Sequence, residues 1–590
     1  MSIIGVVTTA KTSDPRGPSP GLLALGFAVS SACFVLLAFV AVLLIRQQLA
    51  EPTRPVPGLS WLFGSERAPE GHMLPELYNQ LGAVHGTMMV FFGVVPLALS
   101  GLGTWLVPAM IGSRRLAFAR LHAAGLVLHV LGGLLLFASL WAPGGAAQAG
   151  WTSYPPLSTL GTDGQSWWLV ALVLAAMSAL FVSVSLLVTV VQCRREGLTL
   201  WAMPFAVWTM VVAAFLELLA LPPFAAGALL QLSDRHLGTS FFVPADLVVA
   251  GQVQTIAGPG GSPVLWQHLF WFLAHPEVYV LVLPALGVVA QLYKVHARTR
   301  LWGRDMALRS ILFLGVVSFL VWAHHMFLTG MGPEMAAFFQ VTTMIVSIPS
   351  VVVGTSLLLT LWGGSIRFTP PMLFALAFLP LFALGGLTGL PLGMAASDVH
   401  LHDTVYVVGH FHLLVGPGTL FALFAAFYHW LPRWTGRVPN RRLAHLHFWP
   451  SLIGMISLFT HMLVQGLSGM PRRYWDGGAL FARWQDQMGL HDATTHGAWI
   501  LAIGQLPFLI NVVWTLRRGP RSDDPWGAAA HGGSPEWWTG SGSHVLDGPR
   551  QTTSFSEKEL GLALGAAALV MFLAALGSAW IFLRIAGGGR

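Results

Sequence analysis

The chain has 590 residues, of which 55% are apolar and only 9% charged; a soluble domain carries roughly 25% charged residues. That deficit excludes a soluble enzyme, a disordered scaffold and a secreted disulfide module. The net charge of +7 comes from 31 Lys and Arg against 24 Asp and Glu. In so apolar a chain this excess is expected in cytoplasmic loops of a membrane protein, with no nucleic-acid partner. Cys33 and Cys193 cannot frame a disulfide network, and neither lies in a metal-binding CxxC pair. The 22 histidines stand out, because ionisable groups inside a membrane are costly and usually functional.

Windows long enough to cross a bilayer, about 20 mainly apolar residues, occur thirteen times. They fall at 21–46, 80–111, 117–141, 167–192, 202–230, 264–292, 308–330, 336–362, 369–390, 404–432, 446–467, 494–516 and 559–584. The first is too long for a signal-peptide core and no small-residue cleavage site follows it, so it is expected to stay as a span. The fold class is an all-α polytopic membrane protein. An inner tail is expected over 1–20, a twelve-helix core over 21–516, an inner polar linker over 517–557 and an additional helix over 558–590. The linker contains a Gly/Ser/Trp run at 537–544.

Basic residues set the orientation. With the N-terminus inside, 22 of the 31 fall in inner segments, among them Arg114, Arg115, Arg194, Arg195, Arg298 and Arg300, and 6 fall in outer loops. Arg46, Arg584 and Arg590 lie at span ends or in the C-terminal tail. This asymmetry supports a cytoplasmic N-terminus in the cell's inner (plasma) membrane.

In that orientation His85, His275, His324, His325, His410 and His412 all fall in the outer half of the membrane, roughly 10–17 Å from its surface at a rise of 1.5 Å per residue. They come from four spans running in different directions, and nothing in sequence order forces that agreement. Neutral imidazole is a common ligand of iron and copper, and haem takes axial histidines. His410 and His412 are two apart, so on a helix they point about 200° from one another and can serve two different haems. The adjacent pair His324 and His325 can share a metal if the helix is locally distorted. His275 and Tyr279 lie on one helix face at i and i+4. Lone membrane histidines such as His122, His129, His429 and His461 are expected only to bond neighbouring helices.

The segments WFLAHPEVYVLVLP at 271–284, WAHHMF at 322–327 and HDTVYVVGHFHLL at 402–414 resemble subunit I of the haem–copper oxygen reductases, nearest the cytochrome c oxidase type. Further matches are GTWLVPAMIG at 103–112, GWTSYPPLS at 150–158, QHLFWF at 267–272 and GMPRRYWD at 469–476, and the likeness covers roughly 20–516. The resemblance implies that His85 and His412 are axial ligands of a low-spin haem and His410 the ligand of a high-spin haem. His275, His324 and His325 would hold one copper ion. Tyr279 would be the tyrosine joined to a copper-ligand histidine, giving an electron and a proton when the O–O bond splits. Arg472 and Arg473 would bind haem propionates, with Asp398 in the same network. His402 and Asp403 would belong to an outer magnesium site that another subunit completes. Arg46 in VLLIRQQL would contact the low-spin haem, favouring haem A in both haem positions; an interface arginine is the plainer alternative. The implied function is reduction of O2 to water by a terminal respiratory oxidase. Electrons would come from cytochrome c, or a fused cytochrome domain, through a partner subunit II carrying its own copper site, with further small membrane subunits.

Two rivals stay open. A nitric oxide reductase-like enzyme shares the histidine framework but uses non-haem iron and lacks the HPEVY tyrosine. A quinol oxidase carries polar quinol-binding residues in spans 1 and 2; here the positions read Leu37, Ala41 and Leu77, with only Gln80 retained. A non-catalytic haem protein would have no use for His275, His324, His325 and Tyr279. The thirteenth span faintly resembles the first helix of subunit III.

The chain departs from the family in its proton routes. Glu277, the glutamate of HPEVY, is present. The mouth of the route that feeds it reads Arg115 where the family has aspartate, and the asparagine position reads Thr104. Arginine does not deprotonate. The second route depends on a lysine in span 8, where this chain has Val353, three residues after Ser350. Weak, absent or unusually routed proton pumping is therefore expected, with Glu217, His122, His129, Ser178 and Ser185 as candidate substitutes.

Overall fold

The computed structural model describes residues 17–253, 260–480, 482–522, 524–527 and 556–587. The first sixteen residues, the run at 537–544 with most of the expected linker, and Arg590 lie outside the described residues.

Thirteen helices among the described residues are long and apolar enough to cross a membrane, and they coincide with the thirteen predicted windows. In chain order they are α1 (Pro20–Ala50), α2 (Pro75–Ile111), α3 (Ala119–Trp141), α4 (Asp163–Gln192), α5 (Phe205–His236), α6 (Pro263–His296), α7 (Arg304–Met326), α8 (Pro333–Leu361), α9 (Pro370–Gly393), α10 (Val405–Thr435), α11 (Arg441–Leu467), α12 (Gly489–Arg518) and α13 (Glu557–Ile581). A short antiparallel hairpin pairing Val248 with Val253 lies between α5 and α6. This is a multi-pass membrane protein.

Local sequence sets the helix ends. Ser19, Ser262 and Thr404 cap α1, α6 and α10, each side chain accepting from a backbone N–H two or three residues on. Pro20 and Pro263 follow at the first helical position, where a missing N–H costs nothing. Gly112 and Gly436 close α2 and α10 at φ +74° and +65°.

The α5–α6 and α11–α12 pairs make the most extensive helix contacts. Two large buried aromatics find polar partners: Trp168 Nε1 donates to Thr87 Oγ1 at 2.8 Å and Trp266 Nε1 to the Thr152 carbonyl at 2.9 Å. The histidines expected to bond neighbouring helices mostly do. His122 meets Thr104 and Ser185, His129 meets Ser31, and His429 meets His296. His461 differs: its Nδ1 bonds the Ser457 carbonyl of its own helix at 2.6 Å, one turn back.

Helix α13 lies against α5 and α4, burying Ala575 and Ala579. At its start Glu557 pairs with Arg115. The sequence presents Arg115 as a bare cation; the fold neutralises it with a carboxylate from the chain's last helix.

Gly466 brings α11 onto the start of α10. A Cβ there would lie 2.0 Å from the Tyr406 backbone nitrogen and 2.4 Å from its Cα, atoms that cannot move aside. Gly466→Ala should therefore destabilise the protein by about 1–3 kcal/mol, read as a lower melting temperature in detergent. Gly386→Ala, whose Cβ meets nothing within 4 Å, should leave the melting temperature unchanged.

Candidate metal and haem centre

The six histidines converge as two groups plus His410. The first group is His275, His324 and His325, whose ligand nitrogens all lie within 4.8 Å of one another. His275 Nδ1 is 3.3 Å from His325 Nε2, and His324 Nε2 is 3.1 Å from His325 Nε2. Two nitrogens held about 2.0 Å from one ion stand about 3 Å apart at ordinary coordination angles, so the spacing is that of shared ligands. The distortion required of the adjacent pair is present. Helix α7 leaves α geometry after Val317, breaks at Val321 (φ −125°), and carries both histidines on the tighter 3₁₀ turn Trp322–Met326.

Neighbours set each ring. Thr343 Oγ1 donates its proton to the Phe339 carbonyl at 2.5 Å. Its oxygen therefore accepts from His324 Nδ1, 2.9 Å away, which leaves the lone pair on Nε2 for a metal. Trp271 stacks on His325 with centroids 3.8 Å apart and planes at 12°. Trp271 Nε1 in turn donates to the Tyr154 hydroxyl at 2.5 Å. Tyr279 lies edge-on to His275 with centroids 5.0 Å apart, and the buried His275 Nε2 has no hydrogen-bond partner.

The second group is His85 on α2 and His412 on α10. Their rings are parallel within 3° with centroids 6.4 Å apart. That separation fits two imidazoles on opposite sides of one metal at about 2 Å per bond. Each Nδ1 bonds a backbone carbonyl at 2.9 Å, Ala38 for His85 and Val408 for His412. A carbonyl only accepts, so both Nδ1 atoms carry the proton and both Nε2 atoms offer lone pairs. His410 follows the same rule, its Nδ1 bonding the Gly385 carbonyl at 3.0 Å. Across it, a Cβ on Gly389 would come within 2.7 Å of His410 Cε1, so only glycine leaves that ring its room. His410 and His412 thus face different partners, as their spacing predicts. These donor sets fit two haems and one copper.

Charged residues gather at the helix ends nearby. Arg472 donates to Asp403 Oδ1 from Nε at 2.9 Å and from a terminal nitrogen at 2.5 Å. Burial raises the Asp403 carboxyl, but Arg472 and His402 outweigh it and hold the group below its ordinary value. His402 Nδ1 is 3.0 Å from Asp398, and His402 Nε2 is 4.0 Å from Asp403. Asp398 is thus bound to His402. Burial, with Arg472 adding, lowers the Arg473 guanidinium to about 10, and Arg473 reaches Thr152 Oγ1 at 3.3 Å. Burial raises the Tyr154 phenol to about 12. Asp403 and Arg473 both take left-handed backbone, at φ +57° and +72°, which costs an L-residue about 1–2 kcal/mol. The backbone link from Arg472 N to the Asp403 carbonyl at 2.9 Å ties the two loops together.

Arg46 is buried and donates to Thr494 Oγ1 at 3.1 Å, while Thr495 donates to the Arg46 carbonyl at 2.9 Å. It points into the protein and not toward an interface. Glu277 is buried, and its Oε2 has no hydrogen-bond partner. Sequence reasoning passed over Trp271, Thr343 and Gly389. Trp271 had a signal, standing one turn before His275; Thr343 and Gly389 had none, since only the folded chain brings α8 and α9 to those rings.

Comparison with known proteins agrees with this geometry. Residues 22–506 match the family described as cytochrome c and quinol oxidase polypeptide I. Cytochrome c oxidase subunit 1 of Thermostichus vulcanus is 42% identical over 79% of this chain and 80% of its own length. The alternative cytochrome c oxidase subunit 1 of Bradyrhizobium diazoefficiens is 39% identical over 88% and 85%. A solved haem–copper terminal oxidase dimer, 19% identical, shares the fold with a TM-score of 0.68 over 94% of this chain and 91% of that one. The chain belongs to the cytochrome c and quinol oxidase polypeptide I family and is a haem–copper oxidase subunit I of the cytochrome c oxidase type.

Proposed function

We propose that this chain is the catalytic subunit of a terminal respiratory oxidase that reduces O2 to water. The observation that carries the reading is the meeting of three imidazoles beside Tyr279, next to a separate parallel imidazole pair. His275, His324 and His325 hold copper, His410 holds the reactive haem, and His85 with His412 hold the haem that feeds it. Bound there, these groups supply electrons to oxygen. The protein's own residues orient the ligands and hold protons: Tyr279 at its phenol oxygen, Glu277 at its carboxyl. The unpartnered His275 Nε2 beside Tyr279 supports a direct bond between the two side chains. Arg473, and Arg472 through its Asp403 link, face haem propionates. His402 and Asp403 are near enough to share a magnesium ion that a second subunit completes. Buried Arg46 supports haem A, with its head group held beside α12.

The orientation set by the basic loops puts these centres toward the outer face of the plasma membrane, with the N-terminus inside. Electrons then arrive from that side, from cytochrome c or a fused cytochrome domain, through subunit II and its copper, with further small subunits. Gln80 weighs against quinol. It is fully buried, and both its ends are engaged, with Arg67 at 3.0 Å and the Gly144 carbonyl at 2.9 Å. With Arg115 and Val353 at the two family proton positions, pumping is weak, absent or unusually routed.

Tyr279→Phe should keep both haem spectra while oxygen uptake falls on the order of 100-fold or more; near-normal uptake would remove Tyr279 from the chemistry. The donor is tested on the whole purified complex by following oxygen uptake with reduced cytochrome c and with a short-chain quinol. Cytochrome c should support turnover and quinol should not. Fast quinol oxidation without a second subunit would reverse the assignment.

A further inference from the structure

Two carboxyl groups fall in the middle of the predicted spans, Glu217 and Glu277. The fold brings them to one cavity. It is lined by Glu217, Glu277, His129, Ser100 and Ser178 among apolar side chains, with about 20 Å³ open to the centre of a water molecule. A single buried water needs about 10–15 Å³ by that measure and two or more polar partners, so the cavity has room and partners for water. Glu277, which lines this cavity, is only 5% exposed, and its Oε2 has no hydrogen-bond partner.

Glu217 is only 3% exposed. Ser183 Oγ donates to its Oε2 at 2.5 Å, and among the described residues no basic side chain is bonded to it. A carboxyl so placed, with no cation to hold it ionised, is suited to carry a proton. Depth is in order. Counting back from the helix ends on the inner side, Ser183 lies about 14 Å along α4, Glu217 about 18 Å along α5 and Ser178 about 21 Å along α4. One line of polar groups runs through the apolar inner half. Thr104 Oγ1, His122 and Ser185 form a buried line at 2.9 and 3.0 Å, and Ser185 continues to the Ala117 carbonyl at 2.7 Å.

We propose that Glu217 is the proton-relay residue of this oxidase, loading the water space beneath Glu277 from the inner side. Its carboxyl gives its O–H proton to a cavity water. That water releases a proton toward the oxygen site, where the reaction consumes it. The carboxylate left behind is reprotonated through the Ser183 hydroxyl, which passes its proton to Glu217 as its oxygen takes one from water on the inner side, so that no serine alkoxide forms. This assignment rests on the oxygen-reductase reading above and gives that reading a proton route independent of Arg115 and Val353.

The test uses the complete oxidase complex, wild type, Glu217→Gln, Glu217→Asp and Ser183→Ala. Infrared difference spectra between oxidised and reduced enzyme should show a buried carboxyl C=O band that Glu217→Gln abolishes. Ser183→Ala, which removes one hydroxyl and threatens the fold little, should move the band to higher frequency. Proton uptake after an oxygen pulse, followed with a pH dye, should slow on the order of 100-fold in Glu217→Gln. Haem spectra and reduction by the donor should stay normal, and Glu217→Asp should restore part of the uptake. A band untouched by Glu217→Gln and Ser183→Ala, or uptake at the wild-type rate in Glu217→Gln, overturns the relay. Failure of the wild-type complex to consume oxygen at all is a different result: it overturns the oxidase reading, and the relay with it.

Discussion

Three imidazoles stand with ring nitrogens 3.1 and 3.3 Å apart inside an apolar bundle. Such rings are tolerable only if something uses their lone pairs, since a buried unsatisfied polar atom costs about 1–3 kcal/mol. Thr343 fixes one ring by accepting its Nδ1 proton, Trp271 fixes another by stacking on its face, and the ligand nitrogens of the three rings stay close together. The 3₁₀ turn at Trp322–Met326 gives up regular helix geometry and brings two successive imidazoles together with His275. The surrounding structure holds that arrangement in place, from the caps of α6 and α10 to the loops coupled through Arg472 and Asp403.

The second constraint is the supply of protons. A site that reduces oxygen must take up protons, yet its walls are hydrocarbon. The family's usual mouth carries Arg115 here, and Glu557 of α13 neutralises it. Where α2 to α6 meet, the chain keeps two carboxyls, two hydroxyls and an imidazole around a cavity with room for water, with Ser183 bonded to Glu217 beside it.

Much of this was legible in the sequence because a membrane simplifies the problem: apolar length alone marks each span. Helical spacing also separated His410 from His412 and placed Tyr279 beside His275. The need for a distorted helix at His324 and His325 followed from their adjacency. What stayed hidden was contact between segments distant in sequence. Nothing in the chain order shows that Glu557 reaches Arg115, that Gly389 leaves room for His410, or that Glu217 and Glu277 share one cavity. His461 was expected to bond a neighbouring helix, but its Nδ1 reaches the Ser457 carbonyl one turn back in its own helix.

The central claim is that the three-histidine group is a copper site beside two haem irons. Elemental analysis of the purified complex, after removal of any chain carrying its own metal, reads this directly. The account predicts one copper for every two irons in this subunit, with His324→Ala losing the copper and keeping the parallel-histidine haem. Iron in place of that copper, or full copper retention in His324→Ala, would contradict it.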